Sequence, residues 1–136
     1  MIKGIGIDTV NISEIAGYLE SDHMSKPYID RTFSTNEQRV AAERARIDEY
    51  FATRFAAKEA VFKAVAHLLP GRHFDMRIVE TLNYDDGSPY VNITGDLRPV
   101  LEAAGVDTLF ISITTEDNYA TAFVIACGET AENASF

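Results

Sequence analysis

Apolar and polar residues alternate at both ends of the chain, and this alternation predicts strands. In residues 2–10 a period of two places Ile2, Gly4, Gly6, Asp8 and Val10 on one face of an opening strand. Residues 76–84 and 91–93 alternate mostly with polar positions around a turn at 85–87, which predicts a hairpin. A second hairpin is predicted from residues 109–113, a turn at 116–118 and a strand of buried character at 119–127.

The segment between the first strand and the first hairpin carries the start and stop signals of helices instead. Asn11 or Ser13 is expected to cap a short helix at about residues 14–19. Ser34 and Glu37 form a capping box that opens a helix extending to about residue 48. A long helix is predicted at about residues 50–68, before a Pro-Gly pair. A short helix between the hairpins is capped by Asp96 and stops at the glycine at 105.

This order of elements predicts an α+β fold in which helices pack on a mainly antiparallel sheet. With 136 residues, the chain is long enough for a single domain, residues 1–136, that has a real core. A hydrophobic content of 46% and a charged content of 24% are ordinary for a soluble globular protein. Composition marks only the tail, residues 129–136, as a candidate for disorder.

The net charge is −9, but nearly all of the cations lie in the first half of the chain. Residues 1–72 hold ten Lys/Arg and ten Asp/Glu, whereas residues 73–136 hold two and eleven. Bulk nucleic-acid binding is therefore disfavoured. Five cations form either a docking surface or a scatter of solvated side chains: Lys26, Arg31, Arg39, Arg44 and Arg46.

One cysteine excludes an internal disulfide. The chain shows no basic leader followed by an apolar segment, and no apolar run near the roughly 20 residues that span a bilayer. We therefore expect a cytoplasmic protein without membrane association.

The long helix places a carboxylate and an ammonium group one turn apart, at Glu59 and Lys63. Residues four apart share a helix face, so both side chains can point at one object. Taken alone, such a pair is most often a solvated ion pair that contributes roughly 0.2–0.5 kcal/mol. Arg54 and Lys58 form a second pair at the same spacing.

Asp8 shares its strand face with Gly4 and Gly6, and two interpretations of the glycines are open. Glycines inside a strand mark the close approach of a ligand or of another backbone. Either a ligand binds beside Asp8, or a helix packs on the bare surface and Asp8 caps the next element. Asp8 and Glu59, with a lysine nearby, would suit a diphosphate held through Mg²⁺, which takes one or two protein carboxylates. The single cysteine and the three histidines show no zinc-ligand spacing.

Six segments then carry a resemblance to a known family. They are GIGID at 4–8, RTFS at 31–34 followed by Glu37, YFATRFAAKEA at 50–60 followed by Lys63, GSPYV at 87–91, ISIT at 111–114 and YATA at 119–122. In this order and at these intervals, the chain resembles the holo-acyl-carrier-protein synthases, which are small phosphopantetheinyl transferases. The resemblance covers nearly the whole chain.

The resemblance implies transfer of the 4'-phosphopantetheine arm of coenzyme A to a serine of an acyl carrier protein, with release of adenosine 3',5'-bisphosphate. It implies that Asp8 and Glu59 hold Mg²⁺ and act in catalysis together with Lys63, beside the phosphates. The serine proton goes either to a metal-bound water near Asp8 or to a carboxylate. The expected coenzyme contacts are Arg54, Lys58, Lys63, Arg72 and Thr115.

The same resemblance implies a phosphopantetheinyl-transferase-like fold, a homotrimer with coenzyme A at subunit boundaries, and a role in fatty acid biosynthesis and lipid metabolism. Three departures from the family pattern matter. Thr115 stands where many relatives carry a histidine, and Glu14 where many carry an arginine on the helix that meets the acidic carrier protein. The loop at 67–73 retains one glycine where a glycine-rich loop is usual, and there Arg72 or His73 is either a nucleotide contact or an ordinary loop residue.

These departures motivate a second hypothesis, a non-catalytic relative that binds coenzyme A or a carrier protein. A third hypothesis is another metal-dependent phosphate enzyme, such as a nucleotide hydrolase. Only the types of metal ligand in the sequence support it.

Overall fold

The computed structural model describes residues 1–129. Within them, five strands and five helices follow one another as β1 Ile2–Asn11, α1 Ile12–Glu20, α2 Ser25–Thr32, α3 Thr35–Ala41, α4 Ile47–Val65, β2 Thr81–Asn83, β3 Pro89–Val91, α5 Leu97–Ala104, β4 Thr108–Glu116 and β5 Tyr119–Cys127. Short 3₁₀ turns occupy Ala66–Leu68 and Met76–Ile78. Apart from Glu129, the tail that composition marks as a candidate for disorder lies outside the described residues.

The sheet has an antiparallel topology. Strands β1, β5 and β4 lie side by side in that order, and Phe123 of β5 is paired with Ile7 of β1 and with Ser112 of β4. Strands β2 and β3 form a separate hairpin. Helix α4 packs across one face of the three-stranded sheet, with α1 against its side. The predicted α+β class, with helices on a mainly antiparallel sheet, is confirmed. None of the described helices is both long and apolar enough to cross a membrane.

Helix α4 and strand β1 touch backbone to backbone. A Cβ atom on Gly6 would lie 1.9 Å from the carbonyl oxygen of Ala60, and one on Gly4 would lie 1.9 Å from that of Ala64. Of the two interpretations of the glycines, helix packing is therefore correct. Because Asp8 follows Gly6 on the same strand face, this close contact also brings Asp8 up to α4.

The helix ends agree with the sequence where a cap defines them. The side chain of Asn11 accepts a hydrogen bond from the backbone N–H of Glu14 at 3.1 Å, so Asn11, and not Asp8, caps α1. The capping box of Ser34 and Glu37 is present. Gly105 ends α5 with a φ of 72°. Asp96 occupies the predicted N-cap position of α5 but makes no side-chain capping bond there.

Other boundaries differ because burial decides them. Helix α3 ends at Ala41 instead of residue 48, since residues 42–47 are all exposed and offer no apolar face to stabilise further turns. Helix α4 accordingly begins at Ile47. Helix α2 has no side-chain cap and little apolar character, and the sequence pattern does not single it out. Residues Met76–Ile78 form a 3₁₀ turn, so the first hairpin is shorter than predicted.

The sheet face opposite α4 carries large apolar side chains that the described residues leave exposed. The exposed fractions are 60% for Ile5, 57% for Ile7, 58% for Phe110 and 38% for Phe123. Ile5 and Phe110 both pair with Ile125 of the central strand, so these residues are neighbours across the sheet. Contiguous exposed apolar surface of this kind marks an interaction site.

Candidate active site

Asp8, Glu59 and Lys63 meet where β1 passes α4. The Nζ atom of Lys63 donates hydrogen bonds to Oδ1 of Asp8 and to the carbonyl oxygen of Ile7, each at 3.0 Å. Asp8 and Glu59 line the same cavity, which has a volume of about 450 Å³. The charge on Asp8 also raises the pKa of Glu59. The sequence predicts these three residues as one site, although Asp8 lies about fifty positions before the other two. The structure brings them together.

Among the described side chains of this site, negative charge exceeds positive charge. Partial burial is the main cause that raises the pKa of Glu59 above its ordinary value, the charge on Asp8 raises it further, and Lys63 lowers it. Lys63 pairs directly with Asp8. Two carboxylates therefore lie beside one ammonium group, and burial together with the charge on Asp8 disfavours the ionised form of Glu59.

The donor set fits Mg²⁺. This ion prefers oxygen ligands, and it is usually held by one or two carboxylates while water and substrate phosphates complete its shell. Within residues 1–129, no group of three or more His, Cys, Asp or Glu side chains is arranged to hold a metal ion. The described part of the chain therefore offers no closed cage of the zinc type. A pair of carboxylates that lines a cavity, with negative charge in excess, suits an ion shared with a phosphate ligand.

Replacing Glu59 by glutamine is expected to raise the melting temperature of the magnesium-free protein at neutral pH. The folded state holds the pKa of Glu59 above the ordinary value of 4.5. Stability is therefore lost as pH rises from that value through the folded-state pKa, because the folded state binds the proton more tightly than the unfolded state. Glutamine removes this loss. The difference in melting temperature should be smallest in acid and should grow toward neutral pH.

Thermal unfolding followed by circular dichroism in the presence of a chelator measures this difference. Asp30→Asn is a matched control, because Asp30 lies in an exposed ion pair with Lys26. Such pairs contribute little to stability. A melting temperature of Glu59→Gln below that of the wild type at neutral pH would show that the ionised carboxylate stabilises the free protein.

Lys58 lies in the interior. Its Nζ atom is 2.7 Å from Oε1 of Glu37 and donates to the carbonyl oxygens of Met76, at 2.9 Å, and of Val79. The side chains of Lys58 and Glu37 are both 0% exposed. These three partners use the three donors of the ammonium group. The geometry therefore does not favour the predicted contact between Lys58 and coenzyme A.

Arg54 and Thr115 line a second cavity, which has a volume of about 360 Å³. Arg44 and Arg46 also line it, together with Glu49, which forms an ion pair with Arg46. The ring of Tyr50 lies 5.1 Å from the Arg44 guanidinium and 4.5 Å from that of Arg54. Among the described residues, the buried Nε of Arg54 and the buried hydroxyl of Tyr50 have no hydrogen-bond partner. This combination suits a ligand that carries phosphate and ring groups.

The two cavities lie on opposite edges of the three-stranded sheet. The carboxylates adjoin β1 and the arginines adjoin β4, and these are the outer strands of the order β1-β5-β4. Arg54 and Glu59 are five residues apart on α4, which places them about 140° apart around the helix axis. One chain therefore presents the two halves of the candidate site on different sides.

Arg72 lies apart from both cavities. It is exposed, in a turn after α4 where its φ is 50°, and it is not among the residues that line either cavity.

The sequence does not single out Tyr28, which lines the carboxylate cavity. An apolar spacing within a short helix gives no sign that a side chain will face a functional cavity.

Known proteins match the chain over most of its length. The model of the 4'-phosphopantetheinyl transferase superfamily matches residues 4–124. The chain is 39% identical over 132 residues to the holo-[acyl-carrier-protein] synthase of Burkholderia ambifaria, a match that covers 92% of this chain and 86% of that protein.

Solved structures show the same likeness. The holo-[acyl-carrier-protein] synthase of Neisseria meningitidis superimposes with a TM-score of 0.80 at 28% identity, and the match covers 93% of this chain and 98% of that one. The ACPS–CoA complex from Chronobacterium ammoniagenes gives a TM-score of 0.77 at 27% identity, with 93% and 98% covered.

Proposed function

This chain belongs to the 4'-phosphopantetheinyl transferase superfamily, and we propose that it is a holo-acyl-carrier-protein synthase. It transfers the 4'-phosphopantetheine arm of coenzyme A to a serine of an acyl carrier protein and releases adenosine 3',5'-bisphosphate. The observation that carries the proposal is the pair of carboxylates, Asp8 and Glu59, that line one cavity while Lys63 is hydrogen-bonded to Asp8. The relatives from Burkholderia and Neisseria bear the name of this activity.

Asp8 and Glu59 would hold Mg²⁺. When bound, the ion supplies positive charge that offsets the charge developing on the leaving diphosphate. Lys63 donates two hydrogen bonds, to Asp8 and to Ile7, and an ammonium group has three donors. The third donor and the charge of Lys63 serve to orient the phosphates. The carboxylates of Asp8 and Glu59 also offer acceptor oxygens for the serine proton, because both line the cavity that the serine must enter.

The arginine-lined cavity is the proposed site for the nucleotide end of coenzyme A. Arg54 contacts a phosphate there, with Arg44 and Arg46 beside it, and Thr115 lies in the wall. Arginine is suited to this role because its planar fork forms paired hydrogen bonds to phosphate oxygens. Arg72 remains a predicted contact that this geometry does not support.

We also propose that the protein is a homotrimer with its sites at subunit boundaries. Two observations support this assembly. The sheet face that bears Ile5, Ile7, Phe110 and Phe123 is apolar and exposed in the described chain. The carboxylates and the arginines lie on opposite sheet edges, so a ring of subunits can bring the arginine cavity of one beside the carboxylates of the next. Analytical ultracentrifugation should give about three times the mass of one chain. A monomer that is fully active at assay concentration would exclude shared sites.

The proposal also includes a single domain, a cytoplasmic location and a role in fatty acid biosynthesis. One contiguous buried cluster extends from Val10 of β1 to Ala126 of β5, which supports a single domain. A cytoplasmic location and a role in fatty acid biosynthesis are consistent with the proposed reaction.

Mass spectrometry of the carrier protein tests the proposed reaction. An apo acyl carrier protein incubated with this protein, coenzyme A and Mg²⁺ should gain the mass of the phosphopantetheine arm, and omission of Mg²⁺ should prevent the gain. The non-catalytic alternative predicts binding without added mass. The arrangement of Asp8, Glu59 and Lys63 favours the enzyme, because a binding role does not require both carboxylates beside the lysine.

A further inference from the structure

Asn83, at the end of β2, contacts two of the arginines that line the arginine-lined cavity. Its Oδ1 accepts a hydrogen bond from Nη2 of Arg54 and another, at 3.4 Å, from Nη2 of Arg44. Its Nδ2 donates to the carbonyl oxygen of Gly87 at 2.9 Å, across the turn of the first hairpin. An amide oxygen has two lone pairs, so this one oxygen can accept from both guanidinium groups. All four residues line the cavity.

The partners of Arg44 and Arg54 leave the positive charge of both side chains uncompensated. Arg54 is only 5% exposed, and its other hydrogen bond is to the hydroxyl of Thr53 at 3.3 Å. Within residues 1–129, neither Arg44 nor Arg54 forms an ion pair with a carboxylate. Arg46 differs from them, because it pairs with Asp48. A charge out of water without a charged partner is unfavourable, so both arginines would stabilise an anion in this cavity.

The chemical type of the Asn83 side chain decides whether that charge stays available. A carboxylate in its place would hold the same two guanidinium groups more strongly, since charge-assisted hydrogen bonds exceed neutral ones. It would also neutralise them, and a phosphate would then meet a competing negative charge. The amide orients the donors and leaves their charge for a ligand. The other neighbour of both groups, the ring of Tyr50, is uncharged as well.

From this arrangement we infer that Asn83 is a positioning residue, whose neutral side-chain oxygen aims Arg54 and Arg44 at a phosphate of the nucleotide without competing for their charge. The inference rests on the proposed function, which puts the nucleotide end of coenzyme A in this cavity. Asn83 acts through the two arginines, because Asp8 and Glu59 line the other cavity, at the opposite edge of the sheet.

Asn83→Ala and Asn83→Asp together test the inference. Calorimetry measures how each full-length variant binds adenosine 3',5'-bisphosphate. The affinity of Asn83→Ala should fall about tenfold, as expected for the loss of an acceptor that holds charged donors. The affinity of Asn83→Asp should fall further, because its carboxylate repels the phosphate. The KM for coenzyme A should rise in the same order, while kcat at saturating coenzyme A and the KM for the carrier protein stay unchanged.

Thermal unfolding separates positioning from a purely structural role. Both variants lose the hydrogen bond to Gly87, but Asn83→Asp keeps an acceptor for the arginines. Its melting temperature should therefore exceed that of Asn83→Ala, although it binds the nucleotide more weakly. A structural tie between the hairpin and α4 predicts that stability and binding follow the same order. Asn36 is the matched control, because its Oδ1 accepts from the exposed Arg39 at 3.2 Å and it does not line this cavity. Asn36→Ala and Asn36→Asp should bind the nucleotide as the wild type does.

Three results would overturn the inference: wild-type affinity in Asn83→Ala, wild-type affinity in Asn83→Asp, or a wild type that does not bind the nucleotide. If Asn83→Ala does not fold, the affinity of Asn83→Asp decides alone. The binding measurement needs no turnover. A wild type that binds the nucleotide but transfers nothing to a carrier protein would contradict the proposed reaction and leave the role of Asn83 intact, so the two failures are distinguishable.

Discussion

Asp8→Asn is expected to lower the transfer of phosphopantetheine by about a hundred- to a thousandfold at saturating substrates. The amide keeps the shape of the side chain but removes one of the two negative charges that would hold Mg²⁺. It also removes the charged partner of Lys63, which lies 3.0 Å away. Both changes weaken groups that act on the charge of the transition state. Glu59→Gln should have an effect of the same order, because Glu59 supplies the other carboxylate of the cavity.

Folding should survive these substitutions, so the activity loss can be measured on intact protein. The Lys63 side chain is 51% exposed, and ion pairs of this exposure contribute little to stability. Single-turnover mass spectrometry at increasing Mg²⁺ measures the rate and the metal dependence together. Asp30→Asn serves as a control that removes an exposed carboxylate which does not line the cavity. Wild-type rates in either active-site variant would remove the carboxylate pair from the mechanism.

Lys58→Met is expected to lower the free energy of unfolding by about 3–5 kcal/mol, the effect of removing one partner from a buried ion pair. Burial lowers the pKa of Lys58, and the charge on Glu37 opposes that shift, so each charge depends on the other. Without the lysine, the Glu37 carboxylate remains 0% exposed with its charge uncompensated. The carbonyl oxygens of Met76 and Val79 lose a donor as well.

Adding Glu37→Gln to Lys58→Met should restore a large part of the lost stability. The double variant has no buried charge, and glutamine can still accept the backbone hydrogen bond of Ser34 that completes the capping box. Urea unfolding of the two single variants and the double variant measures the coupling. Lys26→Met is the matched control, because Lys26 is 85% exposed in its pair with Asp30. A loss below about 1 kcal/mol for Lys58→Met would mean that the buried pair behaves like a surface pair.

Local periodicity is enough to predict the elements and part of the site. The spacing of Glu59 and Lys63 sets their common helix face, because 3.6 residues per turn is a property of every α-helix. Alternation likewise places Asp8 on the strand face of Gly4 and Gly6. Caps are equally local, so the Ser34–Glu37 box and Gly105 could be identified from the sequence, and Asn11 is one of two candidates for the first cap. The resemblance of the six segments added the expected roles of Asp8, Glu59 and Lys63.

The end of α3 and the presence of α2 could not be predicted in this way. Neither depends on a local signal alone. Helix α3 stops where its residues no longer find a surface to pack against, and α2 persists because Tyr28 packs among aromatic side chains from α1 and α4. Short helices gain most of their stability from tertiary packing.

Sequence by itself determined the class of fold, the strand face of Asp8 and the shared helix face of Glu59 and Lys63. Only the tertiary structure decided what those faces meet. Lys58 and Lys63 lie on the same helix, yet the side chain of one is fully buried against Glu37 and that of the other is 51% exposed beside Asp8. The rotation of α4 on the sheet makes this difference. Direct contact of its backbone with two glycines sets that rotation, and no periodicity along the chain contains such a contact between distant segments.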